Sequence, residues 1–375
     1  AFAELKPQLA ECVIMTADLF APVRLGELDL ANRIIMAPLT RDRAGPGDVP
    51  TAHMVEYYRQ RASAGLIVTE GTQPSPAGKG YWRTPGIHSE AHIQGWRAVA
   101  EEVHGAGGKI VVQLMHCGRA SVRANKDADA ETVAPSAVQS PDPIPGPDGV
   151  PLPTDLPRAL ETGEIAGIVA EYAKAARNAI DAGLDGVELH FASGYLPMQF
   201  LSSNSNQRTD RYGGSAANRI RFAVETLEAL AAEIGPGCVG FRICPGITLN
   251  GMADADPAET YAALLSEVNR LGLAYLHLIQ IPNEGFDALD LVHKNWRGQV
   301  ILNSSLSLEA AHAAVGQGRA DAVSFGRHFI GNPDLVERFR SGGELARADR
   351  STYYTGGGDD RRGYTDYPNL DGRPA

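Results

Sequence analysis

Basic charge is in short supply in this sequence. Its 34 Lys and Arg face 45 Asp and Glu, for a net charge of −11. Nucleic acids and anionic membrane surfaces are gripped through basic patches, so neither is expected as a partner. Long apolar runs are also missing: no stretch approaches the ~18 apolar residues that span a bilayer. Cysteine is scarce. Cys12, Cys117, Cys238 and Cys244 are the full set, and no two stand in C-x-x-C spacing. No zinc or iron–sulfur motif is left, so no metal is expected, and free thiols in a reducing cytoplasm are. The G-x-G-x-x-G fingerprint of an open dinucleotide-binding sheet follows none of the strands predicted below.

What is present suits one large core: 375 residues, 43% apolar and 21% charged. Eight short apolar runs recur, at 33–40, 66–71, 109–116, 186–191, 239–244, 275–280, 299–304 and 322–327. They are nearly continuous rather than alternating, as strands buried on both faces are. Helical patterns separate them. Ser89 caps one, and Pro257 stands just inside another. Eight strand–helix repeats predict a closed (β/α)8 barrel. The alternative, an open doubly wound sheet, would carry fewer strands and the glycine fingerprint. "FAPVRLGELDLANR" predicts a short hairpin plugging the barrel floor. Residues 117–160 form a long excursion after the third strand, with eight prolines from Pro135 to Pro157. Such a segment is a lid or binding loop, or a tolerated surface insertion. Met15 reads as a natural start. Residues 1–14 are then an extension, upstream or added, and 15–375 the barrel.

A barrel of this kind builds its active site at the carboxyl ends of its strands. The polar residues there are Thr40 and Arg41, Glu70 to Thr72, Gln113 and His116. His190, Ser193 and Tyr195 follow the fourth strand, and Arg242 belongs to the fifth. The last two strands end in Asn303-Ser304-Ser305 and Gly326-Arg327. Small residues there leave backbone N–H groups open, and an arginine fork suits phosphate oxygens. The helix from about Leu308 adds a positive dipole end. No lysine ends a strand, which disfavours Schiff-base chemistry. Glu188 sits mid-strand and Glu70 stands alone, so glycosidase and two-metal chemistry lack their parts.

Seven ordered motifs, "NRIIMAPLTR", "YYRQRASAGLIVTEGT", "GKGYWRTPGIHS", "VQLMHCGR", "GVELHFASGYLPMQFLSSNSNQRTDRYGGS", "FGRHFIGNPDLVERF" and "YTDYP", carry a resemblance. From about Leu19 to Leu370 the chain resembles the old yellow enzyme family, FMN-containing ene-reductases on an eight-fold barrel. The resemblance implies tightly bound, non-covalent FMN. Pro38, Leu39 and Thr40 would line it, Gly71 and Gln113 would meet its ring edge, and Arg242 would neutralise its N1 side. Asn303, Ser304, Ser305, Gly326 and Arg327 would hold the phosphate. It also implies NADPH or NADH as hydride donor to the flavin, and small activated alkenes (enones, enals, nitroalkenes, maleimides) as acceptors. His190 would bind the substrate's oxygen, and Tyr195 would protonate the α-carbon. Tyr81, Met115 and Tyr354 would line the substrate pocket. The protein would act as monomer or homodimer.

Four features depart from the family pattern, one being Phe191, bulkier than the small residue usual after the histidine. Ser193 stands where a histidine or asparagine usually shares the oxygen with His190. Met115 replaces a tryptophan common in relatives, so substrate orientation is expected to differ. "ILNSSLS" replaces a glycine-rich phosphate loop. Two further readings follow: an FMN-binding barrel that reduces alkenes weakly, and a flavin-free phosphate-binding isomerase or lyase.

Overall fold

Each of the eight predicted runs becomes a strand of one closed, parallel barrel in the computed structural model, which describes residues 18–354, 358–373 and 375. The expected extension, and Cys12 and Met15 with it, lies outside the described residues. The chain enters through an antiparallel hairpin, β1 (Val23–Leu25) and β2 (Leu28–Leu30). Its Leu25, Leu28 and Leu30 pack with Ile35, Leu66, Val68, Val111 and Ile301 from the barrel interior, so the hairpin forms the floor as predicted. The staves run in the order β3 (Ile34–Met36), β4 (Leu66–Thr72) and β5 (Ile110–Leu114). They continue with β10 (Val187–Phe191), β11 (Val239–Ile243), β12 (Tyr275–Ile279), β13 (Val300–Asn303) and β14 (Ala322–Phe325), which pairs back to β3. The ladder of β3 closes early because Pro38 has no N–H to donate. From there the chain turns over the barrel mouth.

Between β5 and β10 the excursion is not structureless. Short strands β6 (Val133–Ala134) and β9 (Arg158–Ala159) pair in parallel, and β7 (Ile144–Pro145) and β8 (Pro151–Leu152) make a small hairpin. Asn125 Nδ2 donates to the carbonyls of Gly80 and Pro145, tying this segment to the loop that carries Tyr81.

The helices are α1 (Ala52–Arg59), α2 (Glu90–Gly105), α3 (Ile165–Asp181), α4 (Leu196–Leu201), α5 (Ala216–Arg219), α6 (Arg221–Ile234), α7 (Pro257–Val268), α8 (Ala288–Asn295), α9 (Leu308–Gly316), α10 (Arg327–Gly331) and α11 (Leu335–Ser341). Ser89 caps α2 reciprocally with His92. Pro257 opens α7, as its fixed φ favours. Their apolar faces and the outward side chains of the staves make one continuous core. Among the described residues, no helix is long and apolar enough to cross a membrane, no acidic, histidine or cysteine cluster could hold a metal, and Cys117, Cys238 and Cys244 are free thiols.

Candidate active site

The strand-end residues gather around two cavities that share Pro38 and Arg242. One, of about 270 Å³, is walled by Pro38, Leu39, Arg242, Asn303, Ser305, Gly326 and Arg327. Leu306 and His328 join them, two residues that strand-end reasoning passes over. The other, of about 220 Å³, is walled by Thr40, Gly71, Gln113, Met115, His190, Ser193, Tyr195 and Ile279, besides the shared pair. A larger cavity of about 310 Å³, under Ile247, Pro257, Tyr261 and Phe286, contains none of the predicted site residues.

The wall from β10 is set by a tight turn. Ser193 and Gly194 have φ of 60° and 75°, left-handed values that few side chains tolerate. A Cβ on Gly194 would run into the Leu249 carbonyl and Asn250, so only glycine fits there. Asn250 Nδ2 donates to the Ser193 carbonyl at 2.7 Å. Gln199 Nε2 donates to the Gly194 carbonyl at 2.7 Å and to the Cys117 carbonyl at 2.9 Å. The turn delivers Tyr195 to the start of α4, its ring edge-on to His190 at 5.0 Å. The Tyr195 hydroxyl donates to that of Tyr81 at 3.1 Å. Burial raises the Tyr195 pKa well above that of free tyrosine, so it stays a phenol. Burial, then the positive charge of Arg242, pushes His190 down to about 3, so the ring is neutral. Its Nδ1 is buried with no partner.

Across the mouth, Met115 fills the space that Gly71 leaves open, since a Cβ on Gly71 would collide with the methionine sulfur. A bulge between Val68 and Gly71 brings Gly71 opposite Gln113. Gln113 Nε2 donates to Glu188 at 2.8 Å, so its carbonyl oxygen is the end left for the cavity.

Arg242 is the charge shared by both cavities. It is 6% exposed, its Nε has no partner, and among the described residues it makes no salt bridge. A buried guanidinium without an anion is costly. Its environment therefore suits a ligand carrying negative charge or electron-rich oxygens. Glu188, the carboxylate whose charge acts on Arg242, is engaged by Gln113 and by His277 Nδ1 at 2.8 Å. Burial pushes the Glu188 pKa up, but His277 and Arg242 outweigh it and hold it below the usual range. His277 is pulled down by burial, against the opposing charge of Glu188, and its Nε2 is hydrogen-bonded to Ser324 Oγ at 2.7 Å.

Some predicted residues stand elsewhere. Ser304 Oγ turns to the Gln280 carbonyl at 3.5 Å and lies outside both cavities, so only its backbone could serve a phosphate. The N-terminus of α9 is capped by its own Ser307, and it is α10, beginning at Arg327 directly after Gly326, that starts on the cavity wall. Tyr354 is 61% exposed and lies at the rim, within electrostatic reach of Tyr195. His116 is buried away from both cavities, its Nδ1 accepting from the Gly118 N–H. Arg41 is fully buried and donates to the carbonyls of Tyr353 and Gly363 at 2.8 and 2.7 Å, so it anchors the C-terminal segment. Glu70 is not alone. Asp42, whose Oδ1 is buried, lies close enough to feel it: burial foremost, then the charge of Glu70, raises the Asp42 pKa well above its ordinary value. Asp42 directly follows Arg41 after β3, the stave beside Glu70's β4, so the pair was within reach of strand-end reasoning.

Residues 18–346 match the profile of the NADH:flavin oxidoreductase / NADH oxidase family. A probable flavin mononucleotide-dependent alkene reductase of Leishmania infantum is 42% identical over 357 residues, 93% of this chain and 96% of that protein. Morphinone reductase, solved in complex with tetrahydroNAD, superposes with a TM-score of 0.89 at 46% identity, covering 95% of this chain and 98% of that one. The old yellow enzyme homologue from Zymomonas mobilis superposes with a TM-score of 0.90 at 40% identity, over 94% and 99% of the two chains. The barrel, its strand-end residues and these matches agree: the chain belongs to the NADH:flavin oxidoreductase / NADH oxidase family.

Proposed function

We propose that this protein reduces the carbon–carbon double bond of small activated alkenes, with FMN as resident cofactor and NADPH or NADH as hydride source. The observation that carries the reading is the single cavity wall on which His190, Ser193 and Tyr195 face Thr40, Gly71 and Arg242. FMN suits the donor set. The buried, anion-free Arg242 fits the electron-rich pyrimidine side of a flavin, and Gly326 and Arg327 offer an open backbone and a cation for a phosphate. Bound FMN supplies the two-electron chemistry between nicotinamide and alkene.

The chain's own residues then do three things. Neutral His190 donates a ring N–H to the carbonyl or nitro oxygen, where charge collects as the β-carbon is reduced. Ser193 offers a second, shorter donor; its hydroxyl makes no hydrogen bond to described residues. Tyr195 gives its Oη proton to the α-carbon, and the bonded Tyr81 hydroxyl is placed to return one. Met115 and Tyr195, 2% and 8% exposed, keep bulk water from the reacting carbons.

Anaerobic reduction by NADPH or NADH, followed by cyclohexenone, tests this. The flavin absorbance should bleach and then return. Tyr195→Phe should bleach normally but recover about 10²-fold or more slowly, the usual worth of a general acid. Bleaching with no enone-driven recovery in the parent would mean an FMN barrel that is not an alkene reductase.

A further inference from the structure

Arg242 is held in place by one side chain. Its Nη2 donates to Asn303 Oδ1 at 3.0 Å, the one hydrogen bond its guanidinium makes among the described residues. Asn303 is itself fixed from the other side, since its Nδ2 donates to the Ser324 carbonyl at 3.1 Å. The two contacts settle the amide's orientation: only the oxygen can accept from a guanidinium, and only the nitrogen can donate to a carbonyl. From Ser324 the chain of hydrogen bonds runs on through His277 to Glu188 and Gln113. Asn303 therefore links the Arg242 guanidinium on β11 to a polar network inside the barrel.

Without Asn303, a buried cation would turn to an opposite charge. The carboxylate whose charge acts on Arg242 is Glu188, which stands opposite Gly240, two residues before Arg242 on β11. Turning toward Glu188 on the floor side takes the guanidinium away from the cavity wall. Asn303 is the first residue of the "NSS" segment that ends β13.

We infer that Asn303 is a positioning residue that holds Arg242 against the cofactor cavity and thereby raises the reduction potential of bound FMN. The inference rests on the FMN reading above. A cation fixed beside the ring favours the reduced, more negative form over the oxidised one. Losing that placement should weaken reduced FMN more than oxidised FMN.

The test uses full-length holoenzyme as parent, Asn303→Leu and Asn303→Ser. Leucine keeps the volume without polar atoms. Serine is the milder change and carries the test if leucine prevents folding. Two quantities are read: the dissociation constant of oxidised FMN, by fluorescence titration, and the two-electron potential, by equilibration with a reference dye. Reduced FMN should lose about tenfold more affinity than oxidised FMN in Asn303→Leu, a shift of about −30 mV. Asn303→Ser, which keeps a hydroxyl acceptor at shorter reach, should fall between leucine and parent. Equal weakening of both redox forms, leaving the potential where it was, would make Asn303 a packing residue only and overturn the inference. A parent that binds no FMN would sink the cofactor reading, and this inference with it.

Discussion

Ser193 carries two burdens at once. Its φ of 60° lies in the left-handed region, where a residue other than glycine or asparagine is strained by roughly 1 kcal/mol or more. Its side chain is also the shorter of the two polar groups offered to a substrate oxygen beside His190. Asparagine eases both, because its amide tolerates the left-handed backbone and reaches further. Ser193→Asn should therefore gain up to about 1 kcal/mol of stability and lower KM for a cyclic enone about threefold to tenfold, the net worth of one better hydrogen bond. Ser193→Gly separates the causes, since glycine relieves the backbone but donates nothing. It should match the stability gain while KM stays at or above the parent's. If glycine lowers KM as far as asparagine does, donor length is not what limits the parent.

At the level of elements, the site depends on three loops locked together by buried polar side chains. Arg119, in the excursion after β5, donates through Nη2 to the carbonyls of Asn250 and Gly251 at 3.0 and 2.9 Å. Asn250 in turn holds Ser193, and Gln199 Oε1 accepts from the Arg119 N–H at 3.1 Å. A Cβ on Gly251 would strike Pro141, so the proline-rich stretch packs directly on the loop after β11. The excursion is thus part of the site's frame rather than a surface insertion. Arg119→Met keeps much of the stem but removes both of these hydrogen bonds, leaving the Asn250 carbonyl to Ser140 Oγ and the Gly251 carbonyl to Asn204 Nδ2. It should cost about 1–2 kcal/mol in urea unfolding and raise KM, because the Ser193–Tyr195 turn loses its brace. FMN affinity should hold, since neither Arg119 nor its partners wall the cavity between β13 and β14. A loss of FMN affinity equal to the rise in KM would show that the brace serves the whole barrel mouth instead.

For the molecule as a whole, the barrel was legible because parallel strands buried on both faces read as unbroken apolar runs, and because a barrel puts its chemistry at strand ends. His190, Tyr195, Gly71 and Arg242 follow from that rule and do meet on one cavity. What was not legible is built by distant chain. Arg41 is at a strand end, yet its guanidinium serves the carbonyls of Tyr353 and Gly363, 312 and 322 residues on. That returning segment also seals Glu70, through the stacked rings of Tyr57 and Tyr364. Burial is the largest influence on Glu70 and pushes its pKa from 4.5 to about 7, against the opposing hydrogen bonds from the Arg41 N–H and the Tyr58 hydroxyl. The sign follows from linkage. Between pH 4.5 and 7 the unfolded chain has lost the Glu70 proton while the folded chain keeps it. The stability this lends is complete below pH 4.5 and is lost as the pH climbs to about 7. At 1% exposure solvent screens little of it, so the window is worth on the order of 3 kcal/mol. Glu70→Gln removes the titration. Measured by urea unfolding at saturating FMN, the parent should lose stability relative to Glu70→Gln as the pH rises from 5 to 8, most steeply between about 5 and 6.5 and levelling off above about 7. A constant difference across that range would mean that Glu70 ionises in the folded protein as readily as in the unfolded chain, and that the C-terminal segment does not seal it.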